Sequence, residues 1–590
     1  DASSSMLVDF NKANLETAFT IEGVNTLASE LGVDGLVDSN GISIENIAMN
    51  EMIAWAKGAD VDNDDASKRS IMRNDVFGDP LHSKPVVINY GSSIRIVIGT
   101  NAGALHMFKD NGASVQETWA FMPKEFIDNI KPLRENDAAS NKIYGIDGEI
   151  TVYLNDVGGD GIIGTGDTAL IFFGLRRGGS SYYAVDISTP DAPKLLWHIN
   201  NKSLGFEKLG QSWSQPKVGY SKINASGGKV SPVLFIGGGY DVNKDEDGLV
   251  TADQVGVGIY MLDALTGTKL WSALPEAGTT SFDGVHSIAS PIGLLDSTGN
   301  GLIDRLYTGD TGGSIWRVDM PGDITDDFSV FELAKLGGGT DDQRFFYEPS
   351  IARTYISELV TNTVTNSDDT TETIISHQQI PYDAIIIGSG DRSDPLGFDN
   401  NDTLYMIKDS NVITKKFPTD TEPVIDKPDP ILKNKLYDYT DDPYSGSMTE
   451  AELLNVSAAS GWYINLLQNG EKASAAGIVV NGVVYFTSYT PAPDQTIIEC
   501  KPPEGKGSLY AVDLALGIKR HNLTEEDVRE DDNRVIILGK DWPAPPSIVI
   551  VPHPENPEEI QNNLTYKDKF IDVDTIFSTK RTYLYSTENQ

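Results

Sequence analysis

The stretch "RLYTGDTGGSIWRVD", residues 305–319, reads as a strand, a Gly-rich reversal and a second strand closed by Asp. The same arrangement returns in "IVIGTNAGALHMFKD" (96–110), "LIFFGLRRGGSSYYAVD" (170–186), "AIIIGSGDRSDPLGFDNNDTLYMIKD" (384–409) and "VVYFTSYTP" with "GSLYAVD" (483–513). A short strand entered through Ser or Pro recurs along the chain: "HSKPVVINYG" from 82, "SWSQPKVGY" from 212, "HSIASPIGLL" from 286, "YEPSIARTY" from 347, "KASAAGIVV" from 472 and "PAPPSIVIVP" from 543. "YGIDGEITVYL", from 144, fits the same slot less closely. A closing strand often carries Trp, at 119, 197 and 271.

Period-2 alternation with Gly where strands reverse argues for antiparallel four-stranded sheets. One such sheet cannot bury both faces, whereas radial stacking of several can. The expected fold is therefore mainly β: a seven-bladed, modified β-propeller with long loop insertions. Its blades start near residues 82, 145, 212, 287, 347, 474 and 545, within a propeller region 75–590. Polar insertions around 358–380 and 409–460 are expected to project as loops. Residues 1–74 differ and are expected to form a small helical segment with an acidic linker. "NLETAFTIEGVNTLASEL" looks helical, and "SIENIAMNEMIAWAKGAD" sets Ile44, Ile47, Met52 and Trp55 near helical spacing.

The formal net charge of −40 repels phosphate backbones, so nucleic acid is not an expected partner. One cysteine, Cys500, excludes a disulfide within the sequence and any metal site with several cysteines. No apolar run of about 18 residues is present, so no transmembrane helix is expected. The opening "DASSSMLVDF" suggests a mature or trimmed product.

The segment leading into the first stretch, "DSTGNGLID", has oxygen donors at alternate positions: Asp296, Thr298, Asn300, the Leu302 carbonyl and Asp304. Gly301 stands at position six, where a calcium loop turns sharply. Two carboxylates with neutral oxygens suit Ca²⁺ better than Zn²⁺, which favours Cys and His. The competing reading is an Asp/Asn/Gly turn between two blade strands. A second candidate, "DVNKDEDGLVTADQ", offers Asn243, Asp245, Asp247, the Leu249 carbonyl and Thr251, with Asp253 nearby. A third, "DVGGDGIIGTGD", offers Asp156, Asp160, the Ile162 carbonyl and Asp167, but Gly158 at position three supplies no side chain. "ADVDNDD" (Asp60, Asp62, Asp64) lacks the turn Gly and reads as a solvated linker.

No G-x-S-x-G elbow, Walker loop or H-E-x-x-H motif occurs. His82 and His286 each precede a Ser at the start of a first strand, which suggests a repeated structural hydrogen bond. The strand-end tryptophans read as blade packing rather than a sugar platform.

"GDPLHSKPVVINYG" followed by "VIGTNAGALHMF" resembles the start of the propeller in PilY-type proteins, the type IV pilus biogenesis factors and tip adhesins. "WAKGAD", "FIGGGYD", "IYMLDALTGTKLW", "DRLYTGDTGGSIWRVD", "GWYINL" and "NGVVYFTSYTP" extend the resemblance across roughly 50–550, in order. The resemblance implies a calcium-regulated propeller outside the cell, secreted through the periplasm or held at the outer membrane. Such a protein works with minor pilins at the pilus tip, where it supports assembly, opposes retraction and contacts host or abiotic surfaces. The family's regulatory calcium loop falls on Asp296, Thr298, Asn300, Leu302 and Asp304. Thr298 stands where a carboxylate or amide is commoner, which bears on affinity. "DASSS", residues 1–5, has the D-x-S-x-S spacing that starts the metal-dependent adhesion motif of the family's von Willebrand A-like domain, but no apolar strand precedes it in the sequence, and no Arg-Gly-Asp occurs. Two other classes stay open: a periplasmic quinone-dependent dehydrogenase, on fold analogy alone, and a lectin-like adhesin independent of pili.

Overall fold

In the computed structural model, the described residues are 7–22, 25–63, 72–73, 77–136, 142–246, 251–338, 341–365, 371–420, 422–441, 448–493, 504–520, 528–529, 532–552, 560–566 and 569–572. Among them the strands form seven sheets built on antiparallel hairpins, each beginning in one of the stretches expected to open a blade. The chain divides into two compact units.

The first unit holds residues 1–332 and 413–429. Its first sheet runs Val86–Asn89, Ile94–Gly99, Leu105–Asp110, Val115–Phe121, and its second Ile150–Asn155, Thr168–Gly174, Tyr182–Asp186, Lys194–Ile199. The third starts with Lys217–Ser226, Lys229–Gly237, Ile259–Asp263 and Lys269–Leu274, and the fourth with Gly293–Leu295, Arg305–Gly309 and Ser314–Asp319. The middle strands of the second and third sheets are apolar on both faces because each of these sheets packs between two neighbours. Ala169, Ile171 and Phe173 join Val97, Leu105 and Met107 of the first sheet in one core. The alternate residues Leu170 and Phe172 pack with Leu234, Ile236 and Tyr260 of the third. Val233, Phe235 and Met261 then face Leu306, Trp316 and Val318 of the fourth.

Two repeated devices make these seams. The second strand ends in Gly, because the segment leading into the next sheet's first strand passes where a Cβ would be. A Cβ at Gly99 would lie 2.6 Å from the Ile146 carbonyl oxygen, at Gly174 2.5 Å from that of Ser212, and at Gly237 2.4 Å from that of Ile288. The outer-strand tryptophan reaches the following sheet's last turn: Trp119 Nε1 donates to the Pro190 carbonyl at 2.8 Å and Trp197 Nε1 to that of Ala264 at 2.9 Å. Trp271 instead donates to Thr280 Oγ1 (2.9 Å) and sets its ring 5.7 Å from Phe328. The Asp closing the third strand of the first three sheets is a turn cap: Asp110 accepts the Gly112 N–H, Asp186 that of Ser188 and Asp263 those of Leu265 and Thr266, whereas Asp319 of the fourth accepts from the Arg317 guanidinium.

The helices Lys12–Glu22, Leu27–Glu30 and Glu45–Ala56 share a core with Ile127 and Ile130. On Glu45–Ala56 the buried face is Met49, Met52 and Ile53, while Ile47 is 61% exposed. Ile47 therefore lies on the opposite side of the helix from the face that its spacing suggested. Asp62, expected in a solvated linker, is gripped by Arg134 through two bonds of 2.9 and 2.6 Å. That guanidinium holds its carboxyl below the usual range.

The second unit holds residues 333–412 and 430–590. Its sheets include Ser350–Thr365, Thr371–Gly388, Thr403–Asp409 and Gly461–Asn465, then Lys472–Ala473, Val483–Thr490, Lys506–Asp513 and Asp532–Gly539. The devices recur: a Cβ at Gly388 would meet Ala473 Cβ at 2.6 Å, and Trp462 Nε1 donates to the Leu514 carbonyl at 2.9 Å. The insertion at 358–380 extends the Ser350–Thr365/Thr371–Gly388 hairpin rather than forming an irregular loop. Four strands per sheet is too simple. Thr280–Ser281 in the first unit and Tyr437–Asp438 in the second add short parallel strands to outer edges, covering backbone groups that would otherwise stay open.

Candidate metal centre

The loop from Asp296 to Asp304 joins Gly293–Leu295 to Arg305–Gly309. Asp296 Oδ1 accepts the backbone N–H groups of Thr298 (3.2 Å), Gly299 (2.7 Å) and Asn300 (3.2 Å), and Oδ2 accepts that of Gly301 (2.6 Å). Successive N–H groups can converge this way because Gly299 and Gly301 adopt φ of +72° and +82°, which other residues rarely take. Partial burial works against the Asp296 charge, but the N–H groups outweigh it and hold the carboxyl below its usual range. Asn300 Oδ1 accepts the Leu302 N–H at 2.9 Å. Asp304 closes the loop, accepting the Ser297 N–H (2.9 Å) and hydroxyl (2.7 Å).

The third-choice loop has the same bonding. Asp156 accepts from Gly159 and Gly161 at 2.7 Å each, Asp160 from Ile162 at 2.9 Å, and Asp167 from Val157 at 2.9 Å and Gly164 at 2.8 Å. Those two N–H groups depress the Asp167 carboxyl, Gly164 more than Val157. Both loops join the first and second strands of their sheets, and both hold the preceding sheet. Ile163 N–H donates to the Asn89 carbonyl (2.9 Å) and Ile303 N–H to that of Tyr220 (2.7 Å). Each Ile lies seven residues after its loop's first Asp, a correspondence hidden by the different closing distances to Asp304 and Asp167.

The second-choice loop is arranged differently. Asp245 receives both Arg177 guanidinium nitrogens at 2.8 and 2.9 Å, and the Thr251 carbonyl accepts from Lys244 Nζ at 3.3 Å. Asn243 donates its N–H to Asp241 at 3.1 Å; Asp247 and Leu249 lie outside the described residues. Among the described residues no three His, Cys, Asp or Glu side chains gather in metal-ligating range. The Asp296 loop offers two carboxylates with neutral oxygens, a donor set that fits a hard divalent ion. Cys500 and Asp64 also lie outside the described residues.

The paired histidines do not share a partner. His82 Nδ1 bonds Asp147 of the following sheet at 2.8 Å, whereas His286 Nδ1 accepts from Lys244 of the preceding one at 3.2 Å. Arg176, at φ +51°, stacks on Trp213 at 3.8 Å and reaches the His82 ring, a network that spacing alone did not reveal.

The family model described as the PilY1 beta-propeller domain matches residues 83–339. The chain carries a PilY1-type propeller domain. Both bonded loops of the first unit fall inside this PilY1-type segment. The type IV pilus biogenesis factor PilY1 of Pseudomonas aeruginosa is 27% identical over 278 residues, 42% of this chain and 21% of that protein. A PilY1 homolog of Xylella fastidiosa is 23% identical over 447 residues, 73% of this chain and 26% of its own length. The chain thus spans about a fifth to a quarter of the curated PilY1 relatives. The crystal structure of the Pseudomonas aeruginosa PilY1 C-terminal domain has the same fold, with a TM-score of 0.50 at 18% identity, covering 82% of this chain and 93% of that one. Among the described residues no helix is long and apolar enough to cross a membrane.

Proposed function

We propose that this chain is the calcium-modulated, non-enzymatic propeller of a type IV pilus tip protein. Its work is to support pilus assembly with minor pilins, to bias extension against retraction, and to contact surfaces outside the cell. The pilus part of the reading rests on similarity to proteins described as type IV pilus biogenesis factors. The seven sheets are taken as the seven blades.

The observation that carries the calcium part is the loop at Asp296. Its residues are those that the resemblance assigns to calcium, and Ile303 at its end is bonded to Tyr220 of the neighbouring sheet. Asp296, Thr298, Asn300, the Leu302 carbonyl and Asp304 would hold the ion, which neutralises the repulsion between the two carboxylates. Ser297 fixes Asp304, and Ile303 passes the order of the loop to the seam, where its side chain packs with Leu294 against the core. Binding at a hundredfold excess over the dissociation constant adds about 2.7 kcal/mol to the bound conformation. That energy shifts a pilin contact only if calcium favours one of its two states. The same bonding at Asp156 extends the reading to a second loop.

The test is capture of minor pilins by the purified chain, with calcium and with chelator. Capture that responds to calcium, and loses the response in Asp304→Asn, is the expected result. Absence of capture under both conditions refutes the pilus reading; capture indifferent to calcium refutes the modulation.

A further inference from the structure

In the second unit, residues 389–402 join Thr371–Gly388 to Thr403–Asp409. The segment "GDRSDPLGFDNND" carries Asp391, Asp394, Asp399 and Asp402, as dense in carboxylates as the loops described above. Here, however, a lysine enters. Lys472 opens the first strand of the next sheet, and that strand lies against the loop through the Ala473 N–H bond to the Ser389 carbonyl at 3.0 Å. The Lys472 side chain is buried, with the residue 2% exposed. Its Nζ donates to three backbone carbonyls of one turn: Gly397 at 2.8 Å, Asp394 at 3.2 Å and Pro395 at 3.5 Å.

Converging carbonyl oxygens within a field of carboxylates are the surroundings of a bound cation. Burial disfavours the ammonium charge, and Asp402, Asp391, Asp394 and Asp399 oppose that effect. Asp402 is 1% exposed, and its Oδ2 has no hydrogen-bond partner. Its Oδ1 accepts from Ser389 Oγ at 2.9 Å. Arg344 holds Asp391 at 2.8 Å, and of the other three acids Asp402 is buried, Asp394 half-buried and Asp399 exposed, with Lys472 as a buried cation supplied by the chain itself.

We propose that residues 390–402 form a cation site whose occupant is the Lys472 ammonium, and that the site takes up a free primary alkylammonium ion once that side chain is removed. The loop is then built without metal, in contrast to the loop at Asp296. Lysine here acts as a compact point charge with three donors, one for each carbonyl.

The experiment is hydrogen exchange on the full chain, comparing wild type, Lys472→Ala and Lys472→Met, with and without propylammonium, which replaces the atoms that Ala lacks. Amides of residues 393–399 are expected to exchange about tenfold faster in both variants. Propylammonium is expected to restore protection in Lys472→Ala but not in Lys472→Met, whose stem occupies the place of the lysine stem. Unchanged exchange in Lys472→Met overturns the proposal, because the charge is then not what holds the turn. Faster exchange in Lys472→Ala that propylammonium leaves unaltered overturns it too, since the lysine would then be only a packing element. Protection of the Lys506–Asp513 strand, in the same unit, checks in each variant that this unit is folded. Should Lys472→Ala fail that check, Lys472→Met still decides on the charge.

Discussion

Replacing Asp304 with Asn separates the charge of the loop from its hydrogen bonding. Asp304 accepts the Ser297 N–H at 2.9 Å and its hydroxyl at 2.7 Å. Asn keeps an oxygen for the N–H and can offer its own N–H to the hydroxyl oxygen. The unliganded loop should therefore change by less than about 1.5 kcal/mol. Calcium binding should change more. Two unit charges 4 Å apart interact by about 1 kcal/mol in bulk water, and a divalent ion doubles this to about 2 kcal/mol. Affinity should then fall about thirtyfold. Partial burial of the loop raises the figure by lowering the effective dielectric. Calorimetric titration of wild type, Asp304→Asn and Asp304→Ala with calcium measures the effect directly. Asp245→Asn is the matched control, because Asp245 is already held by Arg177, and its calcium affinity should equal that of wild type. Equal affinity for wild type and Asp304→Asn would refute the assignment of Asp304 as a ligand.

Asp310 is fully buried, and burial pushes its carboxyl up to about 6 against the opposing bonds from Trp316 Nε1 and the Ser314 and Gly312 N–H groups. The folded chain keeps this proton up to about pH 6, whereas the unfolded chain releases it near 3.8, so its contribution to stability is present at low pH and is lost as pH rises through 6. About two units amount to roughly 3 kcal/mol; Asp310→Asn should flatten the slope of denaturant-derived stability between pH 4 and 6, and an unchanged slope would contradict this. Gly237→Ala should destabilise by about 1–3 kcal/mol because its Cβ meets the Ile288 oxygen at 2.4 Å. Gly322→Ala, with nothing within 4 Å, should be nearly neutral in the same thermal melts.

Much of the fold was legible because the seams are periodic in sequence. The Gly ending most apolar second strands, the Asp closing third strands and the Trp on several fourth strands report contacts that recur among the sheets. Added edge strands such as Tyr437–Asp438 were not legible, because two residues carry no usable period. Ile47 was misplaced because apolar residues occur on more than one side of its short helix. At the candidate site, Asp296 and Asp304 stand at the two ends of one loop, the first bonded to its backbone and the second to Ser297. The likeness of the Asp156 loop was obscured because counting to its closing Asp gives a different length, and only the backbone bonds show the common turn. Asp245 drew attention as a ligand, yet its partner Arg177 is 68 residues away in sequence and no local pattern could announce it.

The glycine seams carry a consequence for divergence. Where a glycine closes the second strand, much of what faces it is main chain entering the next sheet, as at Ser212 and Ile288, so that approach constrains few side chains. Sheets so joined can exchange most residues in paired, volume-matched fashion and admit long excursions between strands while keeping their stacking distance. A protein built on such joints drifts far in sequence before its architecture shifts, as the TM-score of 0.50 at 18% identity illustrates.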